Sequence, residues 1–593
     1  MSWRVGWGAA ARGVLAALAL ALVLSPLAAL VAQAAAAVLG GAGGWASLAV
    51  PTGRRATLLA QSASLALAVA LAGMALGVLA GVALWRLPPR QRALARWAVW
   101  VAAFVPPYVH ALAWSATADR LQRSLVSIGF PRLPMRGWGL AWWVQVMALA
   151  PLAVGLALAG LQSLDRDAID AARPLRPDTA VLLRVALPMA APLVAAGGAL
   201  LFLLTLTDYA VPSLFQVGVY AMELLTEFSA HHEPARALLL ALPLALLAAL
   251  VVAVGQRMLP LLPQRPGAAG EAWGLPPRWP PWLVGLQTAA GALMMAQLAV
   301  PLVALVALAI AEPALADTLR SAGGEIAYSL GVAAAAALVA LPVALALGPM
   351  LARGMAGRGG GWLWLLAAFP VAVPAPLVGV GLIALWNRPG LEALYDSSAM
   401  PVLAAVARFA PLAVAVVAAQ WRRVDPAFLD VARVLQARPW QAGLQVTLPL
   451  LAPGCLAGMG IVFVLSLGEL GATLLVAPPG RSTLTLRIYN YLHYGASGDV
   501  AGLCLVVLAL ALLVGAGTMA VLAAWGRLLP DSSRLLPDSS RVLPDGSRVL
   551  PDSSRVLPDS SRVLPDSSRV LPDSSRGLPD GSHVSPDRGG GTP

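Results

Sequence analysis

Long apolar segments alternate with short polar ones along most of this chain. Twelve apolar segments can be counted, and with about 20 residues or more each is long enough for an α-helix to cross a hydrocarbon core of about 30 Å. The pattern predicts an all-α polytopic membrane protein with about twelve transmembrane helices, whereas the core helices of a large soluble protein would be fewer and shorter. The segments lie near residues 12–38, 57–85, 97–117, 138–162, 189–207, 236–256, 283–311, 327–351, 361–386, 400–420, 450–475 and 500–525.

The composition of the chain agrees with this class. Hydrophobic residues make up 59% of the 593 residues and charged residues 11%, whereas a soluble domain has roughly 25% charged residues. The two cysteines, Cys455 and Cys504, lie inside apolar segments and do not suggest a disulfide framework. The first apolar run follows Arg4 and Arg12 but is too long for the core of a signal peptide, so we expect an uncleaved first span.

Two polar loops within the apolar sequence repeat each other. Residues 151–173 (PLAVGLALAGLQSLDRDAIDAAR) and 411–433 (PLAVAVVAAQWRRVDPAFLDVAR) match at an offset of 260 residues. A Leu-Pro pair, which we expect to mark entry into the next span, follows each loop, and beyond it the offset becomes 261. With six spans in each half the two halves have the same orientation, which predicts two parallel six-helix repeats.

The repeat and the changes in composition divide the chain into four segments. The first transmembrane half covers residues 1–256, a linker rich in proline and glycine covers 257–282, and the second transmembrane half covers 283–526. In the tail, residues 527–593, a proline returns every seven residues; because proline interrupts a helix, we expect disorder rather than a coiled coil. Arginine is more frequent in the loops on the side of the N-terminus, which predicts cytoplasmic termini and cytoplasmic repeated loops.

Each repeated loop has the residues needed to start a short helix. Asp425 supplies an N-cap acceptor. Pro426 is well tolerated as the next residue, because the N–H of the first helical residue has no partner within the helix and its absence costs nothing. Asp165 can cap the first loop in the same way. Small alanines beside an acid and a base would give such a helix a surface that another protein can approach closely. An ordinary connector between helices is the alternative, but two matched copies favour a pair of docking surfaces.

The two loops resemble the EAA loop of binding-protein-dependent ABC importer permeases, in which Glu-Ala-Ala is followed by a glycine and then by a Leu-Pro pair. The second copy keeps the full spacing, with Asp in place of Glu, Val431 in place of the first alanine and Gln436 in place of the glycine. The first copy has Arg176 at the glycine position and one residue fewer before its Leu-Pro pair. The resemblance assigns to the first coupling loop Asp170, Ala171, Ala172, Arg173, Arg176, Leu187 and Pro188, and to the second Asp430, Ala432, Arg433, Gln436, Leu448 and Pro449.

In that family the loop forms a coupling helix that docks on an ATPase subunit. The resemblance therefore implies a transport subunit, not an enzyme, in a bacterial inner membrane, with two copies of an ABC ATPase and an extracytoplasmic substrate-binding protein as partners. The chain contains no lysine, so it lacks the lysine that a P-loop uses to reach the phosphates of ATP. We accordingly expect no cofactor in this chain and assign ATP and Mg²⁺ to the partner ATPase.

Two segments suggest the transported solute. TDYAVPSLFQ (207–216) and SLGELGATLLVAPPGRSTLTLRIYNYLHYG (466–495) look like segments of the ferric-iron-type permeases that have both halves fused in one chain. Thiamine-type and polyamine-type permeases are similar. Ferric iron is therefore the expected solute, and thiamine, a polyamine or another small solute is the alternative.

Two acids and two histidines are further candidates for function. Asp208 and Glu469 are equivalent in the repeat, and they either line the pathway or end their spans in the headgroup zone. His231 and His232 lack a second spaced pair of ligands, so we expect no metal site and prefer a contact with the binding protein.

An ion-coupled secondary transporter, which can also have two six-helix halves, is the rival class. It would need charges near the midplane of the membrane, which most spans lack, and it would not need matched loops. A membrane enzyme or a scaffold is less well supported because the sequence offers no nucleophile–base set. No nucleic-acid partner is expected.

Overall fold

The computed structural model describes residues 3–41, 43–132, 136–256, 278–311, 315–354, 369–370, 372–424, 426–435, 439–494 and 497–528. Most of the predicted linker and nearly all of the predicted tail lie outside these residues. The described residues form helices, turns and short loops without a β-strand. The predicted all-α fold class is therefore confirmed.

The first half begins with a long helix and contains eleven helices among the described residues. They are α1 (Trp3–Leu39), α2 (Arg54–Trp85), α3 (Pro89–Ala102), α4 (Pro107–Ser127), α5 (Trp138–Gln162), α6 (Arg166–Ala172), α7 (Asp178–Val181), α8 (Leu187–Leu206), α9 (Ala210–Leu214), α10 (Tyr220–His231) and α11 (Pro234–Gln256). A 3₁₀ turn, Gly43–Ala49, lies between α1 and α2, and a π-helical turn, Leu182–Ala186, joins α7 to α8.

The second half follows a similar order of elements. Its described helices are α12 (Pro281–Ile310), α13 (Leu315–Ser321), α14 (Gly323–Gly354), α15 (Ala375–Trp386), α16 (Glu392–Tyr395), α17 (Ala399–Arg423), α18 (Pro426–Leu435), α19 (Pro439–Ala442), α20 (Leu448–Leu467), α21 (Thr473–Val476), α22 (Leu484–Tyr494) and α23 (Ser497–Leu528). A π-helical turn, Gly443–Thr447, joins α19 to α20.

Ten helices among the described residues are long and apolar enough to cross a membrane, fewer than the twelve continuous spans that the sequence predicts. The exceptions are the third spans of the two halves. In the first half α3 and α4 meet at an angle of 90°; in the second half α15 has only 12 residues, and 361–368 lie outside the described part of the chain. Proline explains both differences, because α4 and α15 each begin directly after a proline, Pro106 or Pro374, and proline interrupts a continuous helix.

In each half the second, fourth and fifth spans pack together, as α2, α5 and α8 and as α14, α17 and α20. Glycines bring these helices close to each other. A Cβ atom at Gly77 would lie 2.7 Å from the Cβ of Ala153 on α5, and one at Gly348 would lie 2.8 Å from the Cγ1 of Val417 on α17. Small residues at such crossings are the usual means by which membrane helices gain van der Waals contact.

The first span of each half packs against the opposite half. Helix α1 contacts α14, α15 and α17, whereas α12 contacts α2, α4 and α5. The Nε2 of Gln33 on α1 donates a hydrogen bond to the carbonyl oxygen of Ala384 on α15 (3.1 Å). Buried Gln297 on α12 lies 3.3 Å, Nε2 to Nε2, from His110 on α4. The two halves are therefore interlocked by an exchange of their first helices.

Candidate functional site

The first candidate coupling loop contains the short helix α6, which begins at the predicted cap. The carboxylate of Asp165 accepts a hydrogen bond from the backbone N–H of Asp167 (3.0 Å). Ile169 is buried and anchors the helix to the protein body. Of the residues predicted for this loop, Asp170, Ala171 and Arg176 are exposed and Ala172 and Arg173 are half-buried.

Asp178 holds the end of this loop, a role that the sequence analysis did not identify. Its Oδ1 accepts a hydrogen bond from the Nε of Arg173 (3.4 Å). Its Oδ2 accepts one from the backbone N–H of Arg278, which directly follows the undescribed part of the linker (2.6 Å). The next residue, Trp279, packs against the same apolar cluster as Ile169. The first loop is thus attached to the end of the linker, just before the second half.

The second candidate coupling loop contains helix α18. Asp430 is exposed, and the neighbouring apolar residues Phe428 and Val431 have exposed fractions of 48% and 54%. The structure does not test four other residues predicted for this loop. Asp425 and Gln436 lie outside the described residues, and so do the side chains of Ala432 and Arg433. The assignment of these residues to ATPase coupling stays a prediction.

Both loops expose apolar side chains next to exposed acids. Leu175 in the first loop is 82% exposed, and Phe428 and Val431 in the second loop are 48% and 54% exposed, although they are not the repeat equivalents of Leu175. Exposed apolar groups with a polar surround are typical of protein-contact surfaces. The sequence analysis named Val431 only as a departure from the motif, and it missed Leu175 and Phe428 because they lie outside the motif positions.

Each loop leads into the next span through a π-helical turn rather than through a break. The turns occupy equivalent positions of the two halves, at an offset of 261 residues. The N–H of Leu187 donates to the carbonyl of Leu182, and that of Leu448 donates to the carbonyl of Gly443, five residues back in each case. A wider turn at this place fits the prolines that follow, Pro188 and Pro449, because a proline ring clashes with the preceding turn of a regular α-helix. Helices α8 and α20 begin at the Leu-Pro pairs, and the helical segments extend back through the π-helical turns to Asp178 and Gly443. The expectation that these pairs mark entry into the membrane stays a prediction. Such turns are frequent at functional sites.

Asp208 and Glu469 cap the chain reversals that follow the fifth span of each half. Asp208 accepts hydrogen bonds from the backbone N–H groups of Ala210 (2.9 Å) and Val211 (3.4 Å) at the start of α9. Glu469 accepts one from the N–H of Ala472 (2.7 Å) ahead of α21. A carboxylate near the first N–H groups of a helix is favourable because it satisfies unpaired donors.

A side chain from the fourth span binds each of these acids. The Nε2 of Gln145 on α5 donates to Oδ2 of Asp208 (3.0 Å), and the guanidinium of Arg408 on α17 forms an ion pair with Glu469. Glu469 is buried and Asp208 is half-buried. The two halves therefore use the same arrangement with different chemistry, an amide in one and an arginine in the other.

The two capped reversals meet at the interface between the halves. A Cβ atom at Gly471 would lie 3.3 Å from the Cε1 of Tyr209, and one at Gly468 would lie 3.3 Å from the Cγ of Pro106. Arg408 interacts electrostatically with Asp208 and Tyr209 of the first half. We call Gln145, Asp208, Tyr209, Arg408 and Glu469 the gate cluster. Its role in a solute pathway stays a prediction.

A small, mostly apolar cavity adjoins the gate cluster. Ala210 and Leu214 of the first half and Leu470 and Tyr489 of the second half are among the residues that line it. On another side of it, the hydroxyl of Tyr108 lies 3.4 Å from the Oγ1 of Thr485. The cavity therefore lies where the two halves touch.

Helices α10 and α22 follow the reversals and are held to the second span of their own half. The Oγ of buried Ser62 on α2 accepts a hydrogen bond from the N–H of Tyr220 (2.8 Å). The Oγ of buried Ser329 on α14 accepts one from the N–H of Leu484 (2.7 Å). Sequence reasoning missed both serines, because neither belongs to a motif.

The two adjacent histidines lie at the end of α10. The Nδ1 of His231 lies 3.2 Å from the carbonyl oxygen of Glu227, and His232 adopts the left-handed conformation that ends the helix (φ 54°). Among the residues that the structure describes, no group of three or more His, Cys, Asp or Glu side chains is arranged to hold a metal ion. The contact with a binding protein stays a prediction.

Comparison with known proteins identifies relatives for much of the chain. Residues 344–530 match the family described as "Binding-protein-dependent transport system inner membrane component". The chain is 31% identical over 153 residues to a putative 2-aminoethylphosphonate transport system permease protein of Salmonella typhimurium, which is 26% of this chain and 57% of that relative. This chain thus spans little more than half the length of that permease.

Two molybdenum transport system permease proteins are matched over most of their length. The one from Escherichia coli is 31% identical over 202 residues, 32% of this chain and 88% of the relative. The one from Mycobacterium tuberculosis is 33% identical over 260 residues, 41% of this chain and 94% of the relative. Together with the paired loops and the helical membrane bundle, these matches show that the chain belongs to the binding-protein-dependent ABC importer permeases.

Proposed function

We propose that this chain is the transmembrane subunit of an ATP-driven importer and that it carries both halves of the permease in one polypeptide. The observation that carries the proposal is the pair of matched coupling loops, one in each half, at an offset of 260 residues. Each loop contains a short helix with an exposed acid, Asp170 or Asp430, and has an exposed apolar side chain within five residues of that acid. Two such surfaces fit a pair of ATPase subunits, one for each loop.

The mechanical role of the chain follows from how the loops are connected. The first loop runs through a π-helical turn into α8, and the second runs through a similar turn into α20. Both of these spans end at the gate cluster. ATP-driven closure of the ATPase pair would move the loops together, and the two continuous helices would transmit that movement to the interface between the halves.

We propose an anionic solute of the phosphonate or molybdate class. The relatives named above are a 2-aminoethylphosphonate and two molybdenum permeases, and this favours an oxyanion over ferric iron. Ferric iron, thiamine and polyamines remain sequence-based alternatives. An extracytoplasmic binding protein would deliver the solute to the side opposite the coupling loops, which would face the cytoplasm.

One observation keeps an ion-coupled secondary transporter as the second candidate. Arg408 and Glu469 form a buried ion pair next to the interface of the halves, and ionisable groups inside a membrane bundle often mark ion pathways. Such a transporter would work without an ATPase. The dependence of transport on nucleotide therefore separates the two candidates.

The test is reconstitution of the full chain in liposomes with an ABC ATPase subunit and a substrate-binding protein from the same organism. We expect ATP hydrolysis to be stimulated by the binding protein loaded with a phosphonate or with molybdate. Reversal of both loop acids, Asp170→Arg with Asp430→Arg, should abolish stimulation while the chain still inserts into the membrane. Asp119→Arg, which changes an exposed acid on α4, outside both loops, serves as the matched control and should leave stimulation intact.

Two outcomes would contradict the proposal. Normal stimulation in the double variant would show that the loops do not couple the ATPase. Uptake driven by an ion gradient with no ATPase present would favour the secondary transporter.

A further inference from the structure

Arg408 is a charged residue within an apolar span, and its surroundings indicate why it is there. It lies on α17, where its side chain is 18% exposed, and it forms an ion pair with the Glu469 side chain, which is 4% exposed. A charge in such a place is expensive unless it is paired. The pair joins the fourth span of the second half to the reversal after its fifth span, so both partners belong to one half.

Arg408 also faces the other half. It interacts electrostatically with Asp208 and Tyr209, which stand at the reversal of the first half. The hydrogen-bond donors to Asp208 are the amide of Gln145 and two backbone N–H groups, all of them neutral. Tyr209, the neighbour of Asp208, packs against Gly471, two residues from Glu469. Arg408 is thus a cation paired with Glu469 of its own half and placed near Asp208 of the other half.

The surrounding contacts show that this interface is closed tightly. Gly471 is packed against the ring of Tyr209, and Gly468 is packed against Pro106. Two polar atoms at the cluster nevertheless have no hydrogen-bond partner within the described residues, the hydroxyl of Tyr209 and the Oε1 of Gln145. Buried polar groups are normally satisfied, and incomplete satisfaction is expected where contacts are made and broken.

We propose that Arg408 is a positioning residue that holds the pathway closed at the gate cluster. It stays bound to Glu469 of its own half and attracts Asp208 of the opposite half. Separation of the halves therefore breaks the interaction with Asp208 and leaves the pair with Glu469 in place. The inference rests on the proposed function, because it requires that the halves separate during transport. Without Arg408, Asp208 and Glu469 would face each other as two carboxylates with no shared cation, and the closed state would lose population.

The test measures closure directly by cross-linking across the interface. Ala210→Cys and Leu470→Cys place one thiol from each half in the lining of the small cavity, while the native Cys455 and Cys504 are buried and are replaced by alanine. A protease site inserted within residues 257–277 lets the two halves separate on a denaturing gel unless a short bifunctional thiol reagent has joined them. The full chain is used in lipid nanodiscs, and neither solute nor ATPase is needed.

Removal of the charge should slow cross-linking. We expect Arg408→Gln to reduce the rate by about fivefold or more, the lower end of typical coupling between sites, and Arg408→Lys to retain most of it. Arg388→Gln, an exposed arginine outside the cluster, should not change the rate. The decisive variant is Arg408→Gln combined with Asp208→Asn, which removes one of the two opposed carboxylates and should restore the rate towards that of the parent.

Two results would overturn the proposal. One is a parental cross-linking rate in Arg408→Gln. The other is a rate in the double variant that stays as low as in Arg408→Gln alone, since a merely structural loss would not be repaired by Asp208→Asn. If Arg408→Gln does not accumulate in membranes, the double variant decides by itself, because the proposal requires it to accumulate and to cross-link like the parent. Failure of this test would leave the ATPase stimulation test of the importer function unaffected.

Discussion

Glu223 and Arg487 occupy equivalent positions, each the fourth residue of its helix, yet they carry opposite charges. Glu223 on α10 pairs with Arg54 at the start of α2 (2.8 Å), and Arg487 on α22 pairs with Glu325 near the start of α14 (2.8 Å). In each half an ion pair therefore joins the helix after the reversal to the second span. In the first half the acid is on the former helix, and in the second half the acid is on the span. Such an exchange of charge shows that the contact between these helices has been kept while its chemistry has changed.

The two ion pairs should differ in their contribution to stability. Arg54 is 75% exposed and Glu223 also lies near Arg55, so we expect Arg54→Ala to lower the free energy of unfolding by less than about 1 kcal/mol. Arg487 is 14% exposed and also donates to the hydroxyls of Ser321 and Tyr491. We expect Arg487→Ala to cost about 1.5–3 kcal/mol, because it removes the ion pair with half-buried Glu325 together with the hydrogen bonds that the guanidinium donates.

Thermal unfolding of the purified variants in detergent, followed by intrinsic tryptophan fluorescence, checks this order. Arg487→Ala should lower the apparent melting temperature by several degrees and Arg54→Ala should leave it nearly unchanged. Equal shifts would show that burial of the pair does not set its strength.

Loss of Asp178 should loosen the first coupling loop but not the second. Asp178→Ala removes the ion pair with Arg173 and the hydrogen bond to the N–H of Arg278, and hydrogen bonds to a charged group contribute about 1.5–3 kcal/mol each. We expect faster hydrogen exchange in residues 166–182 and unchanged exchange in 426–435. Hydrogen-exchange mass spectrometry of the full chain measures both peptides in one sample, so the second loop is an internal control. Equal acceleration in both loops would contradict a local tether.

Phe428 should contribute more to binding of the ATPase than the motif residues alone suggest. It is exposed on α18 beside Val431, and aromatic side chains dominate the energetics of protein interfaces. We expect Phe428→Ser to weaken binding of the ATPase by about tenfold, which corresponds to about 1.4 kcal/mol. Leu391→Ser changes an exposed apolar residue in another loop and should bind as the parent does. Titration of the ATPase onto nanodisc-held chain gives the dissociation constants.

The sequence predicted the larger architecture well because apolar segments of membrane length leave few alternatives. Ten of the twelve predicted spans are continuous helices among the described residues. The helix α6, with its cap Asp165, was also predictable, since an N-cap acid next to a helical pattern is a local signal. Prolines could have shown that the third spans are broken, because Pro106 and Pro374 stand inside the predicted apolar runs.

The gate cluster could be predicted only in part. The equivalence of Asp208 and Glu469 followed from the repeat. Their partners, Gln145 and Arg408, come from the fourth spans. These two partners are not equivalent in the repeat, because Arg408 lies three residues beyond the position that matches Gln145. Long-range pairs of this kind depend on how the helices rotate in the bundle. No local pattern in a single sequence contains that information.

Ser62 and Ser329 should be equally necessary for the two halves, because each satisfies one buried backbone donor at the start of a helix. Ser62 is 3% exposed and Ser329 is 4% exposed, and their hydroxyl oxygens accept from the N–H groups of Tyr220 and Leu484. Replacement by alanine would leave those N–H groups without a partner, at a cost of about 1–3 kcal/mol each. Since the sites lie in different halves, the effects of Ser62→Ala and Ser329→Ala should add in the double variant. Thermal unfolding measures this, with Ser64→Ala, an exposed serine bonded to the carbonyl of Gln61, as the matched control. A double variant no less stable than either single variant would mean that the two helices are not held independently.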